Sequence, residues 1–510
     1  MPTIVGERLR RFAPDHRAFR GIDGWTVVRL GVVAGTVIAA VLAVRAFGRP
    51  YDFFDLRIYH GAVVWWAGGG ELYDYIAPQT TLGFTYPPFA ALVMWPMAQL
   101  SVTAAGYLNA VASMTALAVV LTALLVPVAD RCRWPRWFAM AIAVPLAAAT
   151  EPVRETIGYG QVNLLLFGLV LADLVALRWR HRAGVARATG ARTMTTRIMA
   201  TRTMGTRTMG TRATATRAGV ARTPAAPGAL VASWLHRLWT SGTWAGAGIG
   251  LATAVKLTPG LFIVYLLVSK QWRAAATAVG TALTVTVGAF LVAGEESFAY
   301  FGTIVWQTSR VGVADMTPNQ SLAGVLARLY DSAEAPSLLW LTFAVLMLAV
   351  GLSRAATAHA EGDELTAFTL VGLTANVISP ISWSHHLVFV LPAVVVLLDT
   401  ALRRRQASMG LRMQRFPALA GLRHAAVAAG VYVLFVVSPI WPYEHRLPEV
   451  SHYADGLSGA LFESSLAIAV IALVAALPWR PGAEPAFYQE HAFGRAWRRA
   501  WRRALAVRGS

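Results

Sequence analysis

The amino-acid sequence predicts an all-α, polytopic integral membrane protein. The mean hydropathy of the 510-residue chain is positive and only 14% of its residues are charged, a composition outside the range of soluble domains. Apolar stretches of roughly 17 to 25 residues, long enough to cross a hydrocarbon core of about 30 Å, recur from Val27 to Leu477. No stretch between them is long enough for a large soluble domain, so we expect one transmembrane domain over residues 26–478.

The distribution of charge predicts which side of the membrane each loop faces. The formal net charge is +19, but the arginines concentrate at the amino terminus and in three later segments between hydrophobic runs. This is the positive-inside pattern of membrane proteins, whereas a nucleic-acid-binding protein needs a basic face on a folded module. We therefore expect no nucleic-acid partner and four cytoplasmic regions. They are residues 1–25, 178–240, 403–423 and the basic tail 479–510.

The apolar runs predict about 12 transmembrane helices. The first, from about Thr26 to Phe47, has no small-residue cleavage site and predicts an uncleaved helix that starts in the cytoplasm. Further runs lie near 86–100, 103–127, 137–150, 161–177, 243–255, 257–268, 272–293, 336–353, 365–378, 387–402, 424–440 and 457–477. The runs are odd in number, and cytoplasmic regions at both ends require an even number of crossings, so at least one run does not span.

Residues 86–100 are the first candidate for the run that does not span. The segment opens with Pro87 and Pro88 and contains Pro96, which favours a re-entrant or interfacial helix in the first outer loop. Residues 137–150 are the alternative, because both runs are shorter than a usual span.

Residues 182–222 form an internal repeat with arginine at every fifth position, as from Arg192 to Arg217. A period of five matches neither a helix face nor a strand, and the segment has no apolar stripe to bury. We expect a disordered cytoplasmic loop without a chemical role. It is either a dispensable repeat expansion or a contact for anionic membrane lipids.

Four polar clusters from distant parts of the chain are predicted at the outer membrane face, given this topology. The first lies in the loop after the first helix, and the others lie near helix ends on the same side. They are Asp52 with Asp55 and Arg57, Gln161 with Asn163, Asn319 with Gln320, and His385 with His386.

Each cluster also has a structural interpretation. Asp52 and Asp55 could be ordinary loop carboxylates, but aromatic neighbours such as Tyr59 partly desolvate them, and desolvation raises the basicity of a carboxylate. Paired amides can bond neighbouring helices or can bind sugar hydroxyls, which need both donors and acceptors. Aromatic residues such as Tyr86 suit the membrane interface as well as a groove for a sugar or a prenyl chain.

The sequence does not predict a metal site. His385 and His386 are consecutive, so on a helix they point about 100° apart, and Cys132 is the only cysteine. One histidine could bind a phosphate or hydroxyl while the other packs, or both could be structural. Lys256, between two half-length apolar runs, is expected to be a structural cation.

Two classes of function fit these features: an enzyme acting on a lipid-linked substrate, and a transporter or flippase of a lipid-linked sugar. A secondary transporter places ionisable groups near the bilayer midplane and often has repeated halves. The apolar runs contain few acidic residues, of which Asp173 is the clearest, and the conspicuous carboxylates lie at a helix end. This pattern favours chemistry at the membrane surface.

Six short motifs occur in order along the chain: Phe54–Tyr59, Thr85–Phe89, Gly160–Asn163, Lys256–Pro259, Asn319–Leu322 and Ser379–His386. Together they resemble the actinobacterial polyprenol-phosphate-mannose-dependent α-1,2-mannosyltransferases, which are GT-C fold glycosyltransferases of family GT87. The resemblance covers residues 50–395. The arginine repeat and the basic tail are departures from the family pattern to which it assigns no role.

The resemblance implies a GT-C fold in the plasma membrane, with the active site on the extracytoplasmic side. It implies transfer of mannose from polyprenyl phosphomannose to a lipid-anchored mannoside of the phosphatidylinositol mannoside or lipomannan type. Asp55 lies at the position of the family's general base, and inversion at a β-phosphomannose would give the α-1,2 linkage. A phosphate monoester leaves readily, so we expect neither a general acid nor a cofactor or obligatory metal.

The remaining candidate residues are expected to bind substrate. Arg57 and one of His385 and His386 are the expected partners of the departing phosphate, with Asp52 in a supporting or structural role. The other candidates are Tyr59, Tyr86, Gln161, Asn163, Asn319 and Gln320.

Overall fold

The computed structural model describes residues 24–182, 239–307, 310–410, 419–441 and 456–484. Over these residues the chain is helical, and its only β-structure is two isolated bridges, so the predicted all-α class is confirmed. The arginine repeat, the first 23 residues and most of the basic tail lie outside the described residues. The main helices are α1 Gly24–Phe47, α2 Phe54–Ala67, α3 Pro88–Met94, α4 Val102–Arg131, α5 Arg136–Ala149, α6 Glu151–Tyr159, α7 163–182, α8 Ala247–Val255, α9 Leu261–Val268, α10 Trp272–Val292, α11 Gly294–Gly302, α12 Leu322–Leu329, α13 Ser337–Ala360, α14 Glu364–Ile378, α15 Val390–Gly410, α16 Leu422–Val437, α17 Gly456–Glu463 and α18 Ser465–Ala476.

Four helices among the described residues are long and apolar enough to cross a membrane: α1, α4, α10 and α13. A fifth is reached if α17 and α18, which meet at 64°, are counted as one span. The outward apolar side chains on these helices include Leu291 and Leu338, which are 83% and 82% exposed. Apolar side chains this exposed, on helices of spanning length, suit contact with lipid and support a membrane protein.

The predicted number of about 12 spans is not confirmed, because several apolar runs are divided into shorter helices. The helices α5, α14, α16 and residues Thr258–Val268 fall between 10 and 17 residues. One break lies at Lys256, where the backbone turns to an extended conformation between α8 and a short 3₁₀ turn. Sequence hydropathy reports the apolar length of a run but not a break of this kind.

The segment 86–100, predicted not to span, contains the seven-residue helix α3 followed by a 3₁₀ turn at Trp95–Gln99. Both pieces are too short to cross a hydrocarbon core. The helix of the alternative segment, α5, is also short, at 14 residues.

Asp173, the clearest acidic residue in the apolar runs, has a structural role. Its Oδ2 accepts a hydrogen bond of 2.7 Å from the backbone N–H of Ile249, in the first turn of α8. A carboxylate at this point caps the helix and complements the positive end of its dipole. The residue therefore joins α7 to α8.

The start of α2 is held against α6 by a tight turn. Asp52 and Phe53 both have positive φ angles, 46° and 51°, and the N–H of Phe53 donates to the carbonyl of Gly158 at 2.9 Å. This left-handed turn reverses the chain after α1, and α2 begins directly after it. Asp55 therefore lies in the first turn of α2, beside the end of α6.

Candidate active site

Asp55 lies at the head of a hydrogen-bond network that joins three parts of the chain. The Nε2 of Gln161 donates to Asp55 Oδ2 at 2.6 Å and also lies 3.0 Å from the hydroxyl of Tyr59. The hydroxyl of Tyr86 donates to Gln161 Oε1 at 2.8 Å, and that of Tyr59 donates to Tyr86 at 3.2 Å. Because both ends of the amide are bonded, the orientation of Gln161 is fixed, and it holds the carboxylate in place.

Burial raises the pKa of Asp55 to about 6, although the hydrogen bond from Gln161 and the charge of Lys256 both oppose the rise. Desolvation dominates because it penalises the charged carboxylate. A carboxylate with a pKa nearer neutrality holds an accepted proton better than an ordinary loop carboxylate does.

Gln161 and Asn163 are positioned by the short link between α6 and α7. Gly160 ends α6 with a φ of 74°, a conformation that favours glycine, and a Cβ at this position would meet Leu56 in α2. The chain therefore passes close against α2 at this point, and Gln161 contacts Asp55. Asn163 begins α7 two residues later.

Lys256 joins this site, contrary to its expected role as a structural cation. Its Nζ lies 3.1 Å from Asn163 Oδ1, 2.9 Å from His386 Nε2 and 5.2 Å from the centre of the Tyr86 ring. It stands at the break between α8 and the following 3₁₀ turn. The sequence offered one indication of this role, since Lys256 and Lys270 are the only lysines in an arginine-rich chain.

The Nζ of Lys256 and the Nε2 of His386 face each other at 2.9 Å, so one nitrogen donates a hydrogen bond and the other accepts it. The backbone N–H of Trp383 donates to His386 Nδ1 at 3.1 Å, so a neutral ring carries its proton on Nε2, towards Lys256. Burial lowers the pKa of His386 well below its usual range and favours the neutral ring. An anion arriving beside the pair would favour a second proton.

His385 has different surroundings from His386, although the two rings are only 4.6 Å apart. Its carbonyl accepts hydrogen bonds from Thr156 and Asn163, and its ring lies 5.4 Å from that of Tyr159. Its Nε2 is buried and has no hydrogen-bond partner among the described residues. The two histidines therefore face different spaces.

Two cavities meet at the network. The smaller, about 200 Å³, is called here the lysine cavity, and its polar lining includes Tyr86, Gln161, Lys256, Arg310 and His386. The larger, about 720 Å³, is called the aspartate cavity, and its polar lining includes Asp55, Glu155, Tyr159, His385 and Trp441. Trp383 lines both cavities, so a molecule in one would lie next to a molecule in the other.

Glu155 is a second carboxylate of the aspartate cavity, and it is not among the residues predicted from the sequence. It is fully buried and accepts hydrogen bonds from Ser384 Oγ and, at 3.0 Å, from Arg49 Nη2. Burial raises its pKa, whereas Ser384 and Arg49 oppose that rise. The sequence gave a weak indication only, in the position of Glu155 shortly before the motif that contains Gln161.

Asp52 and Arg57 are not brought into the network. Arg57 Nη2 lies 2.6 Å from Asp52 Oδ2, and both side chains are largely exposed. Neither residue lines the lysine cavity or the aspartate cavity. The cation that lies beside His386 is Lys256, not the predicted phosphate partner Arg57.

Asn319 and Gln320 are fully buried and bonded to backbone groups. Asn319 bonds to the carbonyls of Ala314 and Pro380 and accepts from the N–H of Ser382. Gln320 bonds in the same way to α17 and α18, through the carbonyl of Glu463 and an N–H of Ala467. This geometry matches their structural interpretation, since they hold the loop that carries His385 and His386.

Comparison with known proteins leads to the family that the motifs indicated. The profile of glycosyltransferase family 87 matches residues 84–196 and 183–380. The polyprenol-phosphate-mannose-dependent alpha-(1-2)-phosphatidylinositol mannoside mannosyltransferase of Mycobacterium tuberculosis is 30% identical, over 75% of this chain and 78% of its own. The protein of the same name from Mycolicibacterium smegmatis is 28% identical, over 78% of this chain and 81% of its own.

The crystal structure of ArnT from Cupriavidus metallidurans in the apo state matches 89% of this chain and 76% of its own, with a TM-score of 0.30 and 16% identity. The family assignment rests on the profile and on the sequence relatives. The chain therefore belongs to glycosyltransferase family 87 and is a glycosyltransferase.

Proposed function

We propose that this enzyme transfers mannose from polyprenyl phosphomannose to a phosphatidylinositol mannoside or a related lipid-anchored mannoside, and that it forms an α-1,2 linkage. The names of the relatives support the donor and the acceptor class. The observation that carries the proposal is the position of Asp55, bonded to Gln161 and lining the larger of two adjoining cavities.

Asp55 acts as the general base in a single displacement. The acceptor hydroxyl loses its proton to Asp55 as its oxygen forms a bond to the anomeric carbon of the donor. The bond from that carbon to the phosphate oxygen breaks, and polyprenyl phosphate leaves with the electron pair. One displacement inverts the anomeric centre, so a β-phosphomannose gives an α-mannoside.

The lysine cavity receives the phosphate of the donor. Lys256, His386 and Arg310 line it together, and a dense group of donors stabilises the charge that develops on the leaving phosphate. The pair of Lys256 and His386 suits this role, because an arriving phosphate stabilises positive charge on the two facing nitrogens.

The aspartate cavity receives the acceptor sugar. Its volume lies within the range of about 300–1,000 Å³ that is usual for small-molecule sites. Glu155, Tyr159 and the unpaired Nε2 of His385 offer both acceptors and donors to hydroxyls, and Trp441 offers an aromatic face.

We further propose that the short helices combine into a GT-C arrangement of about 12 crossings in the plasma membrane. The active site lies on the extracytoplasmic side, since the arginine-rich segments predict the opposite side as cytoplasmic.

Linkage analysis of the product tests this function. Membranes containing the full chain are incubated with labelled polyprenyl phosphomannose and candidate phosphatidylinositol mannosides. We expect labelled product with a new α-1,2-mannosyl bond. Label that crosses the membrane without a new glycosidic bond would instead indicate a flippase, and transfer from a different polyprenyl phosphate sugar would contradict the donor.

The pH dependence of transfer is expected to follow the raised pKa of Asp55. Only the carboxylate can accept a proton, so kcat/KM should rise with pH through about 6 and fall about tenfold per pH unit well below it. A pH–rate profile of the wild type, beside Asp52→Asn as control, measures this. Both should have the same inflection, and a wild-type profile that stays flat from pH 5 to about 7 would contradict the role of Asp55.

Shortening the arginine repeat between Arg187 and Arg222 is expected to leave transfer nearly unchanged, because every member of the catalytic network among the described residues lies elsewhere in the chain. Transfer by the shortened chain, normalised to the amount of protein in the membrane, measures this. Complete loss of transfer in a chain that still reaches the membrane would show that the loop is more than a spacer.

A further inference from the structure

A second group of charged and aromatic residues lies at the far end of α7 from the active site. Asn163 begins this helix beside Lys256, whereas Arg178 and Arg182 lie in its last turns. At a rise of 1.5 Å per residue the two ends are roughly 20–30 Å apart. The proposed function does not use this second group.

The group surrounds a cavity of about 460 Å³ between α4, α5 and α7. We call it the basic crevice, and define it by Arg136, Trp137, Arg178, Trp179 and Arg182. The rest of its lining is mainly apolar and includes Val126, Pro127, Met140 and Val175. The crevice thus has a charged part and an apolar part.

Arg178 is built into the wall of the crevice. Its Nε and Nη2 donate to the two carboxylate oxygens of Glu484 at 2.7 and 2.9 Å. Its Nη1 lies 3.4 Å from the carbonyl of Ala123, which has lost its helical donor because Pro127 has no N–H. Arg178 therefore repairs a break in α4, and its charge is balanced by Glu484.

The other two arginines of the crevice, Arg136 and Arg182, are available to bind an anion. Arg136 pairs with Asp130 at 2.8 and 2.9 Å, but both side chains are largely exposed, so the pair is weak and can be shared. Arg182 is exposed and has no hydrogen-bond or ion-pair partner among the described residues. Three arginines face two carboxylates here, which leaves one positive charge uncompensated.

Tryptophans place the mouth of the crevice at the level of lipid headgroups. Trp134, Trp137 and Trp239 are 49%, 47% and 55% exposed. Trp179 packs against Trp239 with ring centres 5.8 Å apart, and Trp239 stacks on Trp244 at 4.8 Å. Tryptophans that are partly exposed at the ends of membrane helices mark the interface between hydrocarbon and water.

We propose that the basic crevice binds an anionic phospholipid through its headgroup phosphate. Arg136 and Arg182 offer planar donor groups that match phosphate oxygens, and the apolar lining accommodates the start of the acyl chains. The uncompensated charge favours a lipid with net negative charge over a zwitterionic one. This lipid is separate from the donor, because the two sites lie at opposite ends of α7.

Native mass spectrometry of the full chain tests this site. The purified protein is given equal amounts of phosphatidylglycerol and phosphatidylcholine, and the lipid retained on the protein is measured. The wild type is expected to retain more phosphatidylglycerol than phosphatidylcholine. In the double variant Arg136→Gln/Arg182→Gln the ratio of the two retained lipids should fall about tenfold. Arg182→Gln alone removes an unpaired side chain, so its fold should be intact, and it should lose part of the preference.

The matched control is Arg404→Gln/Arg405→Gln, which removes two exposed arginines of α15 outside the crevice. It should retain the wild-type preference. An equal loss in this control would mean that diffuse surface charge attracts the lipid, and an unchanged double variant would mean that the crevice does not bind it. Both outcomes overturn the proposal, as would displacement of phosphatidylglycerol by inorganic phosphate at similar concentration.

Discussion

Asp55→Asn is expected to lower the rate of mannosyl transfer by about 10²–10⁴-fold, the usual contribution of a general base. Asparagine has nearly the same shape, and its carbonyl oxygen can still accept the hydrogen bond that Gln161 donates at 2.6 Å. The network to Tyr59 and Tyr86 should therefore persist. The substitution removes only the capacity to accept a proton, so the protein should reach the membrane in normal amount.

Asp52→Asn is the matched control for this result. Asp52 is three residues away, but it is exposed, paired with Arg57 and outside both cavities. We expect it to retain transfer within a few-fold of the wild type, since a surface ion pair contributes about 0–1 kcal/mol. Initial rates with saturating donor and acceptor compare the two variants. Equal damage by both substitutions would contradict the assignment of the base to Asp55.

Lys256→Gln should have the second-largest effect, a fall in kcat/KM of about 10²–10³-fold. The substitution removes the cationic group proposed to face the leaving phosphate and breaks the contact with His386 at 2.9 Å. Glutamine can still bond to Asn163, so the link to α7 need not be lost. The loss should fall on the donor, and it is measured by varying polyprenyl phosphomannose at fixed acceptor.

Arg57→Gln is the control for Lys256→Gln, because it removes a cation from the same part of the molecule. The sequence motif predicts Arg57 as a partner of the phosphate, but in the structure its guanidinium contacts Asp52. Its substitution should change kcat/KM by only a few-fold. If Arg57→Gln were the more damaging variant, the phosphate would lie outside the lysine cavity.

The sequence predicted the helical membrane class and the polar residues that form the network, for identifiable reasons. Hydropathy depends only on which residues a segment contains, so the sequence alone is enough to identify apolar helices. The positive-inside pattern assigned Asp55, Gln161 and His386 to one membrane face. In the structure Gln161 bonds to Asp55 and Tyr86, His386 contacts Lys256, and Lys256 lies 5.2 Å from the centre of the Tyr86 ring.

The remaining features depend on tertiary contacts that have no sequence pattern. An amide that bonds to backbone, such as Gln320, looks the same in sequence as one that bonds to a carboxylate, such as Gln161. Lys256 enters the site only because α8 ends there and the chain turns. The number of spans could not be predicted from the sequence either, because an apolar run does not show where a helix breaks.

Donor binding and transfer, measured on the same preparation of Asp55→Asn, test the central claim most directly. If Asp55 is the general base, the variant should bind polyprenyl phosphomannose within about two- to threefold of the wild-type affinity, because Lys256 and His386 are unchanged. In a single turnover with acceptor added, it should form almost no product. Transfer at the wild-type rate, or a loss of donor binding as large as the loss of transfer, would contradict the claim.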